Sequence, residues 1–229
     1  MNSKPFSWGV IFDLDGTMVN NSAYHRNAWF ELCRRYGIAL STTDYYEKIH
    51  ARSNDKIVPN LFGKEVDDAF IRRIQHEKET LYQDSFRPVM CETAGLTALL
   101  TELNNAGIPC AAASNSPKTN VDFVLDGLNL RRFFKNVIDR DQVAVGKPNP
   151  EMLLQSAAAM GLPPRRCLVF EDSASGFAAA RNAGMPYIAI IGGTDPSELH
   201  EAYDAKMHCV DFTRLTIHDV AECLNGCGR

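Results

Sequence analysis

Trp8-Gly-Val-Ile-Phe-Asp-Leu-Asp-Gly-Thr17 is the stretch on which the reading of this chain turns. Gly9 to Phe12 form an apolar run too short for a helix and rich in β-branched and aromatic types, which predicts a buried strand. The run breaks abruptly into Asp13-Leu14-Asp15-Gly16. In an extended chain side chains alternate, so Asp13 and Asp15 point the same way. Gly16 allows a sharp turn where a Cβ would clash. Two acids at the C-terminal end of a strand lie where open α/β sheets bind their ligands.

Clustered carboxylates repel and persist together only with a cation or a shared proton. Mg²⁺ takes oxygen ligands and is commonly held by one or two carboxylates plus a substrate phosphate. One Asp can attack phosphorus to give an acyl phosphate. The other, two residues on, can protonate the leaving group and later take a proton from water. A solvated strand-to-loop corner competes with this reading for Asp-x-Asp alone. The intact string Phe12-Asp-Leu-Asp-Gly-Thr17 is far more specific.

Outside this stretch, the composition sets bounds. The 229 residues suit one domain or one and a half, and 45% hydrophobic residues supply a sizeable core. A net charge of −4 points to no nucleic-acid or anionic-membrane surface. Seven cysteines without a Cys-x-x-Cys pair, two of them (Cys110 and Cys167) inside apolar runs, read as reduced thiols rather than disulfides or a zinc site. No signal-peptide core and no membrane-length apolar run is present. The chain is therefore expected to be a soluble cytoplasmic monomer with a small-molecule partner, and with no nucleic-acid or membrane partner.

From residue 21 to 88 only helical patterns occur. Ser22 is placed to cap a helix reaching Tyr36, a second helix fits Thr42 to Ile49, and a third starts near Ser53 and ends around Phe62. A fourth runs from Glu65 to Tyr82. After Pro88 helices and strands alternate. Strands are expected at Ile108 to Ala113, Val137 to Asp139, Cys167 to Phe170 and Tyr187 to Ile191. Helices are expected from Leu96 to Gly107, after Pro117, and from Asn149-Pro150 to Gly161. The alternation predicts an α/β fold, a doubly wound parallel sheet. Residues 1–20 and 89–229 would form that core, with 21–88 an inserted all-helical cap.

Polar groups sit at four of the strand ends or the loops beyond them. Besides Asp13 and Asp15 these are Ser114-Asn115, Lys147 in Gly146-Lys-Pro-Asn-Pro150, and Glu171-Asp172. A serine hydroxyl and adjacent amides at a helix start can cradle phosphate. A lysine can neutralise a transferring phosphoryl group, and two more acids complete a Mg²⁺ site. Each has a plainer alternative: Ser114 a helix cap, Lys147 a solvated lysine, Glu171-Asp172 acids favoured by a helix dipole. Their occurrence together, in this order, argues against all three at once.

These motifs, with Phe170-Glu-Asp-Ser-x-x-Gly176 and Ala183-Gly-Met185, resemble the haloacid dehalogenase superfamily of aspartate-nucleophile phosphohydrolases across essentially the whole chain. More narrowly, the sequence is similar to the branch holding β-phosphoglucomutases and sugar-phosphate phosphatases. The resemblance implies Asp13 as nucleophile and Asp15 as general acid/base. It also implies Mg²⁺ held by Asp13, the Asp15 carbonyl and Asp172 with Glu171 nearby, and a phosphoryl group bound by Ser114, Asn115 and Lys147. In the cap, Tyr24-His25 followed by Ala28-Trp29 looks like the mutase pattern, and Lys78 aligns with a substrate-contacting lysine. The mutase's phosphate-gripping arginine falls at Asn54, leaving Arg52 as a substitute two residues earlier. The expected activity is a Mg²⁺-dependent phosphatase of a small phosphorylated metabolite. A phosphomutase and a pyrophosphatase are the alternatives. A response-regulator receiver has comparable groups on a similar sheet. It lacks both a helical insertion of this length and the Asp-x-Asp-Gly string.

Overall fold

A computed structural model describes residues 7–49, 52, 54–63, 65–193 and 200–226. The chain divides into two units, one made of the residues up to Asn20 together with those from Cys91 onward, the other of Asn21–Met90. Among the described residues no helix is long and apolar enough to cross a membrane.

The first unit holds strands β1 (Gly9–Phe12), β2 (Cys110–Ala113), β3 (Phe134–Ile138), β4 (Cys167–Glu171), β5 (Tyr187–Ile190) and β6 (Met207–Cys209). They form one sheet in the order β3-β2-β1-β4-β5-β6, and every pairing is parallel. All four residues of β1 are buried, as an apolar run covered on both faces requires. From β1 the chain first builds β2 and β3 to one side, then returns to lay β4 on the other. That reversal opens a crevice beyond the strand ends, flanked by β1 and β4. Phe12 pairs with Ala112 on one neighbour and with Phe170 on the other. The next residues, Asp13, Ala113 and Glu171, therefore stand level at the mouth of the crevice.

Helices α5 (Leu96–Asn105), α6 (Lys118–Gly127), α7 (Glu151–Met160), α8 (Ala174–Ala183) and α9 (Ile217–Asn225) complete this unit. One face of the sheet packs Ile11, Ala111 and Val169 against Met152, Leu153 and Phe177. The opposite face carries aromatic contacts. The Phe12 and Phe170 rings stack at 4.9 Å, and Phe212 meets Phe170 edge-on at 5.2 Å.

In the second unit the described residues form helices α1 (Ser22–Arg35), α2 (Thr42–Lys48), α3 (Asn54–Phe62) and α4 (Asp68–Phe86) around Trp29, Leu32, Ile57, Val58 and Ile74. Several expected boundaries shift for local reasons. Ser22 is the first helical residue, and Asn21 occupies the cap position without a side-chain capping bond, because its amide donates to Tyr82 Oη (2.7 Å). Helix α4 starts three residues later than Glu65, where the Asp67 carboxylate accepts the Phe70 N–H, and runs on to Phe86. Ser53 lies outside the described residues. Strand β3 begins at Phe134 rather than Val137, and Asp139 turns out of it to cap the next turn through the Asp141 N–H. Pro150, not Asn149, is the cap residue of α7, although the Asn149 side chain accepts the Glu151 N–H (3.0 Å).

Of the thiols, Cys33, Cys110 and Cys167 are buried and Cys91 is exposed. Burial pushes the Cys110 thiol up to about 12, so it packs as a neutral small group.

Candidate active site

The level strand ends are joined by one cation. Lys147 reaches in from the β3–α7 loop and its Nζ donates to Asp13 Oδ1 (2.5 Å), the Ala113 carbonyl (2.9 Å) and Glu171 Oε1 (2.6 Å). All three N–H bonds of the ammonium are thus directed at three adjacent strands at one register level. Its side chain is only 2% exposed, so it is not a solvated loop lysine. Burial works against its charge. The Asp13 and Glu171 carboxylates more than offset that and raise its pKa above the ordinary value. Asp13 feels the opposite balance. Burial and then the Glu171 charge push its carboxyl up to about 8, with Lys147 opposing.

Asp15 is held by the loop after β2. Ser116 Oγ donates to Asp15 Oδ2 (2.5 Å) and Ser114 Oγ to the same oxygen (3.3 Å), while Ser114 Oγ accepts the Ser116 N–H (3.0 Å). Ser114 is buried, so it does more than cap a helix at the surface. The Asn115 side chain faces the Lys147 backbone, accepting the Lys147 N–H (2.8 Å) and donating to its carbonyl (3.2 Å).

Glu171 is fully buried, with one oxygen on Lys147 and the other accepting the Asp172 N–H (2.8 Å), the Ser173 N–H (3.0 Å) and Ser173 Oγ (3.1 Å). It anchors both the lysine and the turn into α8. Asp172 receives a bond from Thr17 Oγ1 (3.4 Å). Ligand oxygens of Asp13, Glu171 and Asp172 all lie within 4.8 Å of one another, and all three residues are buried. An all-oxygen carboxylate set is the donor chemistry of a hard dication, so these residues fit Mg²⁺.

Two glycines make the approach of these acids possible. At Gly16 the backbone has φ +86°, and a Cβ would stand 1.9 Å from Asp172 Oδ2. A Cβ on Gly176 would meet the Glu171 carboxylate at 1.8 Å. Gly16→Ala is expected to displace Asp172 and weaken metal affinity about 10–100-fold. A Mg²⁺ titration of activity checks it: an unchanged half-saturating concentration would remove Gly16 from the metal site.

Within the helical unit, His25 on α1 and Lys78 on α4 meet. Lys78 Nζ donates to His25 Nδ1 (2.8 Å) and pairs with Glu79 (2.9 Å), and the His25 ring stacks on Tyr82 at 3.8 Å. Lys78 is buried, not a solvated helix lysine. An ammonium only donates, so His25 Nδ1 faces Lys78 as the acceptor. Arg52 is exposed and donates to the Glu47 carbonyl (2.7 Å).

Sequence reasoning gave no role to Ser116, Thr17 or Ser173. Ser116 stood in view beside Ser114, two residues apart in an extended segment. Thr17 and Ser173 each follow an assigned acid closely and stand inside the quoted motif strings, and that is the signal they carry.

A doubly wound sheet whose switch-point crevice gathers carboxylates, hydroxyls and one lysine defines a phosphoryl-transfer class of site. A model of the haloacid dehalogenase-like hydrolases matches residues 9–184. Hexitol phosphatase A of Escherichia coli is 30% identical over 219 residues, 91% of this chain and 94% of that protein. The β-phosphoglucomutase of Bacillus subtilis is 30% identical over 191 residues, 80% of this chain and 83% of its own. A solved family IA hydrolase of the same superfamily from Entamoeba histolytica superposes with a TM-score of 0.86 at 26% identity, covering 96% of this chain and all of the other. The chain belongs to the haloacid dehalogenase-like hydrolases, and as an enzyme it is a phosphohydrolase or phosphomutase.

Proposed function

We propose that the protein is a Mg²⁺-dependent phosphatase acting, as a monomer, on a small phosphorylated metabolite of the sugar-phosphate kind. The observation that carries this reading is the convergence of Asp13, Asp15, Ser114, Lys147, Glu171 and Asp172 on one crevice. Asp13 is the nucleophile. Its oxygen bonds to phosphorus as the bond to the leaving oxygen breaks, and Asp15 gives that oxygen a proton. In the second half Asp15 takes a proton from water, whose oxygen attacks phosphorus, and the Asp13–phosphorus bond breaks to release phosphate. Lys147 and Ser114 bind the phosphoryl oxygens. Asp13, the Asp15 carbonyl and Asp172 would hold the Mg²⁺, with Glu171 beside them, and the ion supplies neutralisation of phosphoryl charge. His25, Lys78 and Arg52 are proposed to contact the rest of the substrate.

A mutase reading draws support from the His25–Lys78 pair and its mutase-like sequence. Returning a phosphoryl group to a second sugar hydroxyl requires gripping the other phosphate, for which a guanidinium is suited. Asn54 stands where that arginine is expected, and Arg52 donates to a backbone carbonyl of its own unit. Hydrolysis is therefore favoured. The test supplies β-glucose 1-phosphate, Mg²⁺ and catalytic β-glucose 1,6-bisphosphate and follows both products. Inorganic phosphate should dominate; glucose 6-phosphate with little free phosphate would reverse the assignment. A screen over phosphorylated metabolites and pyrophosphate then identifies the substrate.

Metal removal gives a second expectation. Activity should vanish with EDTA, return with Mg²⁺, and be inhibited by Ca²⁺, whose larger and looser coordination spoils in-line transfer. Full turnover in metal-free protein would exclude the metal.

A further inference from the structure

We infer that Asn115 is a positioning residue for Lys147, and that its side chain works on the lysine's backbone rather than on phosphate. The side-chain amide lies alongside the Lys147 residue and uses both of its ends. Oδ1 accepts the Lys147 N–H at 2.8 Å and Nδ2 donates to the Lys147 carbonyl at 3.2 Å. Two bonds of this length, from one planar amide to the N–H and the C=O of a single residue, fix distance and orientation together, as a ladder pair does between strands. The residues are 32 apart in sequence, so the pair ties the loop after β2 to the loop before α7.

Gly146 supports the same reading. A Cβ there would stand 2.5 Å from Asn115 Oδ1 and 3.1 Å from Arg140 Cδ. The arginine contact is with a flexible side chain and can yield, whereas Asn115 Oδ1 is held by its bond to Lys147. The loop thus lacks a side chain where Asn115 closes on it.

What the pair achieves follows from the reach of lysine. The ammonium sits at the end of four rotatable bonds, yet must place three N–H bonds on Asp13, Ala113 and Glu171 at once. Fixing the backbone at the root of that stem removes the freedom that would otherwise smear the charge. The hydroxyl of the preceding residue, Ser114, serves Asp15, so adjacent side chains of one loop position two different groups.

Two measurements test this, and only the first rests on the phosphatase reading. In a double-mutant cycle, Asn115→Ala and Gly146→Ala should each lower kcat/KM about tenfold to a hundredfold. Combined, they should cost no more than Asn115→Ala alone, since both break one contact. Losses that multiply would overturn the inference. The second measurement is amide hydrogen exchange by NMR, which needs no turnover. Asn115→Ala should speed exchange at the Lys147 N–H by about tenfold, while the Val169 N–H on β4, bonded to the Pro186 carbonyl, keeps its rate. An unchanged Lys147 rate, or an equal rise at both sites, would overturn it. Should Asn115→Ala fail to fold, Asn115→Asp keeps an acceptor for the Lys147 N–H and should keep its protection; lost protection there would likewise overturn it.

Discussion

Asp13→Asn is expected to abolish turnover, by about a thousandfold or more, while the protein stays folded. An amide oxygen is a poor nucleophile, and an amide cannot form the acyl phosphate on which the second half-reaction depends. The substitution would also remove one of the proposed metal ligands, so the assay belongs at saturating Mg²⁺ to separate lost chemistry from lost metal. Stability should move the other way in metal-free buffer. Burial and the Glu171 charge push the Asp13 carboxyl from 3.8 to about 8. Across that interval the unfolded chain has released the proton and the folded chain keeps it, so Asp13 destabilises the fold increasingly as pH rises. The Asn variant lacks this penalty. Its melting temperature in EDTA should equal or exceed wild type, with a gap that widens between about pH 5 and pH 7.5. Activity near wild type would end the nucleophile assignment. A lower melting temperature that worsens with pH would show that Asp13 is stabilised as a carboxylate.

Lys147→Met is expected to damage both catalysis and stability. It keeps most of the volume of the side chain and removes its charge. The buried Glu171 carboxylate and the Asp13 carboxyl beside it are then left without the ammonium that meets them at 2.6 and 2.5 Å. Breaking a buried ionic arrangement by deleting one partner costs about 3–5 kcal/mol. Turnover should fall about a hundredfold to a thousandfold, the scale for losing one preorganised donor to a developing charge. Because Mg²⁺ bound as proposed would supply positive charge to the same acids, added Mg²⁺ should raise the melting temperature of the variant more than that of wild type. Equal stability of variant and wild type without metal would mean that the ammonium contributes nothing net to the fold. Undiminished turnover would take Lys147 out of the reaction.

The parts of the site that lie at strand ends were legible from the linear chain. An apolar run, two acids and a glycine announce a buried strand stopping at a ligand site, because burial selects residue type and period-two alternation sets direction. The same logic reached Ser114 and Glu171-Asp172, each just beyond an apolar run. It failed where pattern is weak. Strand β6 has three residues at a sheet edge, Met207–Cys209, and escaped notice. Helix α9 has a signal in the sequence, since Thr216 and Asp219 form a capping box of the T-x-x-D kind.

Sequence alone therefore determined the fold class, the order of the strands through β5, and the residue types at the crevice. These depend on local burial and turn chemistry, which each segment carries within itself. Only the tertiary structure decided partners. That Lys147 lies between Asp13 and Glu171, that Ser116 holds Asp15, and that Gly176 is bare to admit the Glu171 carboxylate all depend on strand register and loop approach. The Asn115 amide is the plainest case: its side chain meets the backbone of a residue 32 positions away, a contact that nothing in its own segment announces. Such contacts arise from the way a parallel sheet brings distant strand ends level, and no segment read by itself contains that information.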